Sequence, residues 1–200
     1  MTRGIALFIS IAALLWTSAG TQRAFASDSR VRCIENALAG MPADDVPNLH
    51  RVATNLYRSG QPSPRGFEVL AKCGIRTAIN LRAVGRDEFV IEGLALRVRL
   101  ARFPLHAWGI QSEYPTVVAA LRALRKATHH GPTLVHCEQG SDRTGAIVAL
   151  YRITYESWKT EKALREMEER LYGFNFIWMN IPAFINGLDP AQLRRDVGPG

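Results

Sequence analysis

Residues His136-Cys137-Glu138-Gln139-Gly140-Ser141-Asp142-Arg143-Thr144-Gly145 set a thiol and a guanidinium with five residues between them in a chain of 200 residues. A thiolate is a strong nucleophile, and the positive end of a helix together with a nearby cation favours that charged form. A planar guanidinium presents a fork of donors that matches two oxygens of a phosphate, which a lysine could not match. Glycines such as Gly140 and Gly145 permit tight turns and close approach of backbone to a ligand. Thr144 can offer its hydroxyl to the sulfur, and His136 can brace the loop from behind. Together these residue types describe a nucleophile at the floor of an anion cradle.

The elements around the segment must present it that way. Thr133-Leu134-Val135 is short, β-branched and bounded by Gly131-Pro132, the pattern of a buried strand. Ala146 to Ile153 is almost wholly apolar, the pattern of a helix sunk in a core. Cys137 then falls at a strand end and Arg143 at a helix start. There, backbone N–H groups and the helix dipole converge on an anion. Upstream, Val52 to Arg58 reads as one strand entering a turn at Gly60-Gln61-Pro62. Pro64 to Lys72 reads as a helix closed by Gly74. Ile75 to Leu81 and Leu96 to Phe103 read as strands, with a short helix over Arg86 to Glu92 between them.

Tyr114 to Thr128 is a clearer helix, with Val117, Leu121 and Leu124 inward and Arg122, Lys126 and His129 on a solvated face. Thr160 reads as the cap of a further helix whose core stripe is Leu164, Met167 and Leu171. Phe174, Phe176, Trp178 and Met179 crowd one stretch, either packing onto the core or forming an aromatic patch near the site. Pro182 and Pro190 break the tail into short helices. The order of strands and helices predicts an α/β fold: a small, mostly parallel sheet flanked by helices, with the phosphate loop between a strand and a helix. Ligands bind beyond the carboxyl ends of such strands, where Cys137 lies. His129-His130 reads as an exposed helix end with no third metal ligand in view.

The segment His136 to Gly145 resembles the His-Cys-x-x-Gly-x-x-Arg-Thr-Gly signature of the cysteine-dependent protein tyrosine and dual-specificity phosphatases. Leu56-Tyr57-Arg58-Ser59-Gly60-Gln61-Pro62 and Gly74-Ile75-Arg76-Thr77-Ala78-Ile79-Asn80-Leu81-Arg82 look like the opening strands of secreted bacterial members. Ala149-Leu150-Tyr151-Arg152-Ile153 also fits, and the likeness spans roughly 48–185. The resemblance implies Cys137 as nucleophile, Arg143 as phosphate binder and Thr144 as an aid to breakdown of the phosphoenzyme. Backbone amides of Glu138, Gln139, Gly140 and Ser141 would line the site with Arg143. The family uses no metal or organic cofactor.

One departure concerns the general acid, which the family draws from an aspartate on the loop after the preceding strand. Here that loop is Phe103-Pro104-Leu105-His106-Ala107-Trp108-Gly109, and it holds no aspartate. Asp142 is the first substitute, since Asp142-Arg143-Thr144 resembles the loop of myotubularin-type lipid phosphatases. Glu113 and His106 follow. Asp142 reads equally well as a structural carboxylate that orients Arg143 or caps the helix.

Arg3, the apolar run Ile5 to Trp16 and Ala24-Phe25-Ala26 form the pattern of a secretory signal peptide cleaved after Ala26. The run is shorter than the ~20 residues a membrane span needs; retention as an uncleaved anchor is the other reading. Residues 1–26 are thus read as a leader and residues 27–200 as one catalytic domain, periplasmic or secreted, with no stable membrane insertion after cleavage. Loss of Arg3 and Arg23 takes the formal charge from +7 to +5, an excess that suits an anionic substrate without naming it.

The chain has three cysteines. An oxidising compartment favours pairing while a nucleophile must stay free, so Cys33 with Cys73 is one arrangement and two buried free thiols is the other.

The expected partner is a phosphorylated protein or small phosphate ester, with no nucleic acid and a monomeric state. Phosphotyrosine proteins come first, with phosphoserine and phosphothreonine also open. Phosphoinositides or inositol phosphates come second, because Glu138 and Asp142 place two acids in the loop and disfavour polyanions. The lack of the upstream aspartate motivates a third reading, a phosphate-binding module without catalysis.

Overall fold

The computed structural model describes residues 42–198 apart from Arg86, together with Ser29, Arg32, Cys33, Ile34 and Asn36. The expected leader over 1–26 lies outside these residues. Five strands, β1 (His50–Ala53), β2 (Leu56–Ser59), β3 (Thr77–Arg82), β4 (Arg99–Leu105) and β5 (Thr133–His136), form one sheet in the order β1-β2-β5-β3-β4. β1 runs antiparallel to β2 at the edge, and β2, β5, β3 and β4 are parallel. β5 is therefore the middle strand, with Ser59 and Asn80 in register with His136 on its two sides.

Period-two alternation sorts the side chains onto two faces. Leu56, Ile79 and Val135 pack with the residues of α3 (Tyr114–His130) and α4 (Asp142–Tyr155). Their neighbours Tyr57 and Leu134 turn the other way onto Leu70 and Cys73 of the chain around α1 (Pro64–Lys72). Ala78 does the same, meeting Phe67 of α1 and Ile91 of α2 (Glu88–Gly93). α1 begins as its sequence directs: Ser63 caps it by accepting the Gly66 N–H at 3.0 Å, and Pro64 occupies the first turn. α4 is buried almost all round, which explains its lack of an amphipathic pattern. α5 (Thr160–Met167), α6 (Asn180–Gly187) and α7 (Pro190–Val197) complete the α4 side.

Three expectations need correction. Val52 to Arg58 is not one strand, because a turn at Thr54-Asn55 folds it into the antiparallel pair β1 and β2. Thr160 is the first residue of α5 rather than its cap, and the Lys159 side chain that precedes it makes no capping bond. Leu171 does not continue the stripe of Leu164 and Met167: α5 stops at Met167, and Leu171 is 63% exposed in a short 3-10 turn. Beyond the helix end, Tyr172 turns back toward the loop that follows β5. Its ring lies 4.1 Å from the Arg58 guanidinium, and its carbonyl accepts Asn48 Nδ2 at 2.9 Å. The crowded aromatic stretch divides, with Phe174 buried and Phe176 and Met179 exposed.

Candidate active site

Cys137 follows β5 directly and Arg143 lies in the first turn of α4. The connecting loop is held from outside at every step. Gln61 N–H donates to Glu138 O at 2.9 Å, and Asn48 Nδ2 donates to Gln139 O at 3.2 Å. Arg58 Nη2 donates to Gly140 O at 2.8 Å and to Ser141 O at 3.3 Å. In a trans peptide, C=O and N–H point in opposite directions. Four outward carbonyls therefore aim the N–H groups of Gln139, Gly140, Ser141 and Asp142 into the loop. The Gly140 N–H donates to Cys137 Sγ at 3.3 Å, so the sulfur lies within reach of the loop's inward donors. No side chain caps the start of α4, which leaves its first N–H groups available to an anion.

Gly140 is irreplaceable in this arrangement. Its φ is +77°, and a Cβ there would stand 2.4 Å from Gly60 N and 2.5 Å from Ser59 C. Arg58, only 1% exposed, fills the space behind the loop. Burial lowers its guanidinium from the ordinary value, against the opposing pull of Tyr172 and Cys137.

The other face of β5 carries a second brace. His136 is fully buried, edge-on to Phe67, with Nε2 3.0 Å from Asp87 Oδ2. Asp87 also accepts Asn80 Nδ2 at 2.8 Å and Gln61 Nε2 at 2.9 Å. Burial alone would raise the Asp87 carboxyl, but hydrogen bonds and positive charge from His136, Gln61 and Arg82 hold it below the usual range. Gln61 belongs to both braces, since its backbone N–H serves the loop and its side chain serves Asp87.

The remaining site residues fall as follows. Thr144 is fully buried, and its hydroxyl has no hydrogen-bond partner among the described residues. Arg143 is half-buried and donates through Nη1 to Leu105 O at 3.4 Å. Glu138 is exposed, and its Oε2 lies 2.6 Å from Arg82 Nε. Asp142 is buried and caps nothing: Oδ1 accepts the Asn175 N–H at 2.9 Å and Oδ2 the Ser141 hydroxyl at 3.1 Å. Both acids of the loop are thus occupied by the protein itself. On the loop after β4, His106 Nδ1 lies 2.6 Å from Glu113 Oε1, and His106 N–H donates to Glu113 Oε2 at 2.8 Å. Cys33 and Cys73 form a disulfide with Cα atoms 5.5 Å apart, and Cys137 is free.

Sequence reasoning did not assign roles to Arg58, Asn48, Asn80, Asp87 or Asn175. One signal was available: Asn80 and Arg58 interrupt apolar strands, and a polar residue inside such a run needs a buried partner. The described residues contain no cluster of three or more His, Cys, Asp or Glu suited to a metal, and no helix long and apolar enough to cross a membrane.

A strand-end cysteine in an amide cradle, closed by an arginine at a helix start within a mostly parallel sheet, defines a cysteine-dependent phosphatase. The chain belongs to the dual-specificity type: residues 41–180 match the family described as DSP-PTPase phosphatase fused to NAD+ kinase. It is 30% identical over 182 residues to the dual specificity protein phosphatase TpbA of Pseudomonas aeruginosa, covering 88% of this chain and 81% of TpbA. The crystal structure of a cysteine-to-serine variant of P. aeruginosa TpbA in complex with pTyr superposes with a TM-score of 0.67 at 31% identity, over 76% of this chain and 91% of that one. Inositol diphosphatase DSP3 of Arabidopsis thaliana is 30% identical over 155 residues, covering 74% of this chain and 73% of DSP3.

Proposed function

We propose that this phosphatase is an exported enzyme that dephosphorylates phosphotyrosine proteins through a phosphocysteine on Cys137. The Cys137 thiolate attacks phosphorus, an S–P bond forms, and the bond to the leaving oxygen breaks. The N–H groups of Gln139 to Asp142 and the Arg143 fork carry the charge that builds on the equatorial oxygens. Water then attacks the phosphocysteine and releases phosphate, with the free Thr144 hydroxyl available to the departing sulfur. The observation that carries this reading is the set of outward carbonyls from Glu138 to Ser141, which turns the loop's donors toward a single anion.

Phosphotyrosine is favoured by the bound pTyr in the TpbA complex and by Glu138 at the mouth, which works against polyanions. Phosphoserine and phosphothreonine esters are accepted more slowly. Export is supported by the leader-like residues 1–26 and by the Cys33–Cys73 disulfide. The mature domain acts as a monomer. A second reading, an inositol phosphate phosphatase, is favoured by the likeness to DSP3 and by Arg82, a cation at the rim now held by Glu138.

Turnover of phosphotyrosine peptide, phosphoserine peptide and inositol hexakisphosphate in one buffer separates the readings. Fastest release from the tyrosine peptide is expected, and fastest release from the inositol ester would favour the second. Cys137→Ser is expected to lower phosphate release from an aryl phosphate by about 10³-fold or more, with the thermal midpoint unchanged and phosphopeptide still bound. Retained turnover in that variant would end the phosphocysteine mechanism.

A further inference from the structure

We infer that His106, oriented by Glu113, donates the proton to the leaving oxygen. The inference rests on the phosphocysteine mechanism above and names its missing acid. The loop after β4 offers no aspartate, and Asp142 is engaged elsewhere, one oxygen on the Asn175 N–H and the other on the Ser141 hydroxyl. Asp142 thus serves as a clamp between the phosphate loop and the segment that follows Phe174.

His106 is held for the opposite purpose. Glu113 grips it twice, through the ring Nδ1 at 2.6 Å and the backbone N–H at 2.8 Å. With Nδ1 on the carboxylate, Nε2 is the nitrogen left to meet a substrate. The residues on either side are pinned as well. Leu105 O accepts Arg143 Nη1 at 3.4 Å, and Ala107 O accepts Asn180 Nδ2 at 2.7 Å. The His106 backbone is therefore fixed between two bonded carbonyls, one of them on the Arg143 guanidinium, and its ring lies 5.4 Å from that of Trp108. The His106 side chain is 44% exposed, open to a substrate at the rim. β4 lies two strands from β5, roughly 10 Å away at the usual strand spacing, a gap for a phosphoryl group and its leaving oxygen.

In the first step the sulfur lone pair forms the S–P bond as the P–O bond breaks. The electron pair goes to the leaving oxygen, which takes the proton from Nε2 of the imidazolium. In the second step the neutral imidazole accepts a proton from the attacking water. The new P–O bond forms, the S–P bond breaks and its pair returns to sulfur. Glu113 touches neither substrate nor phosphorus and is a positioning residue.

The test compares phenyl phosphate, whose leaving group needs a proton, with 2,4-dinitrophenyl phosphate, whose leaving group does not. In the full chain, His106→Gln and His106→Asn should each lower kcat on phenyl phosphate at least about 30-fold more than on the dinitrophenyl ester. Glu113→Gln should show the same selectivity at about 5- to 10-fold with KM unchanged, and Glu113→Asp should recover part of it. Asp142→Asn should affect both esters alike. Equal losses on both esters in the His106 variants, or selective loss in Asp142→Asn, would overturn the assignment. Cys137→Ser separates the two failures: turnover retained there sinks the mechanism itself, whereas an inactive Cys137→Ser beside unselective His106 variants sinks only the acid.

Discussion

The loop after β5 leaves a fully buried middle strand and the loop after β4 a partly exposed edge strand, and the two are secured differently. The first has each carbonyl from Glu138 to Ser141 bonded to a group outside it, with the buried Arg58 behind. The second is secured near the surface by Glu113, Asn180 and Arg143, and carries Trp108 at 68% exposure. The phosphoryl group is the same in every ester, so its cradle gains from a rigid, desolvated setting. The leaving group varies, and the loop that meets it is adjustable by sequence without disturbing the core. Rigidity sits where the chemistry is invariant.

Breaking the rigid side should have the largest effect. Arg58→Met removes the Nη2 donor shared by Gly140 and Ser141 and leaves Gly140 O unsatisfied, while Ser141 O keeps the Gly145 N–H at 2.7 Å. The expected cost is about 2–4 kcal/mol in urea unfolding, with kcat/KM down at least about 100-fold. The brace across β5 comes next. Asp87→Asn should cost about 1–3 kcal/mol at neutral pH, because the acceptor for His136 and Asn80 loses its charge.

The same variant carries a pH signature. The Asp87 carboxyl is held below its ordinary value in the folded chain, so the unfolded chain takes up that proton first as pH falls. Its stabilisation is complete above the ordinary aspartate range and disappears as pH drops through the depressed folded value. Unfolding curves measured across acid pH should be flatter for Asp87→Asn than for the parent. An unchanged slope would mean that the charge is not held by this network.

The smallest expected effect sharpens the contrast. Asp142→Ala releases the Asn175 N–H and should cost about 1 kcal/mol. Amide exchange should speed up over residues 174–180 and stay unchanged at β5. Faster exchange at β5 as well would show that the clamp supports the cradle and not only the distal segment.

The cradle was legible in the sequence because its parts are contiguous: ten residues carry nucleophile, turn glycine and guanidinium between a strand and a helix. Strands and helices followed from periodicity. What holds the cradle was not legible, because its partners are far apart along the chain, with Arg58 82 residues from Gly140 and Asn48 91 residues from Gln139. The break at Thr54-Asn55 went unread since the residues around it are individually compatible with a strand. Leu171 keeps the helical spacing of Leu164 and Met167, yet α5 ends at Met167 and Leu171 falls in a separate 3-10 turn. In both places the chain departs from a pattern that is locally consistent.

The pairing of Cys33 with Cys73 has a redox corollary. Those two sulfurs are joined to each other, and Cys137 is the one remaining cysteine in the chain. A sulfenic acid formed on Cys137 would find no resolving thiol on its own polypeptide. Its reduction would draw on a thiol carried by another molecule, so recovery from oxidation would depend on the surroundings.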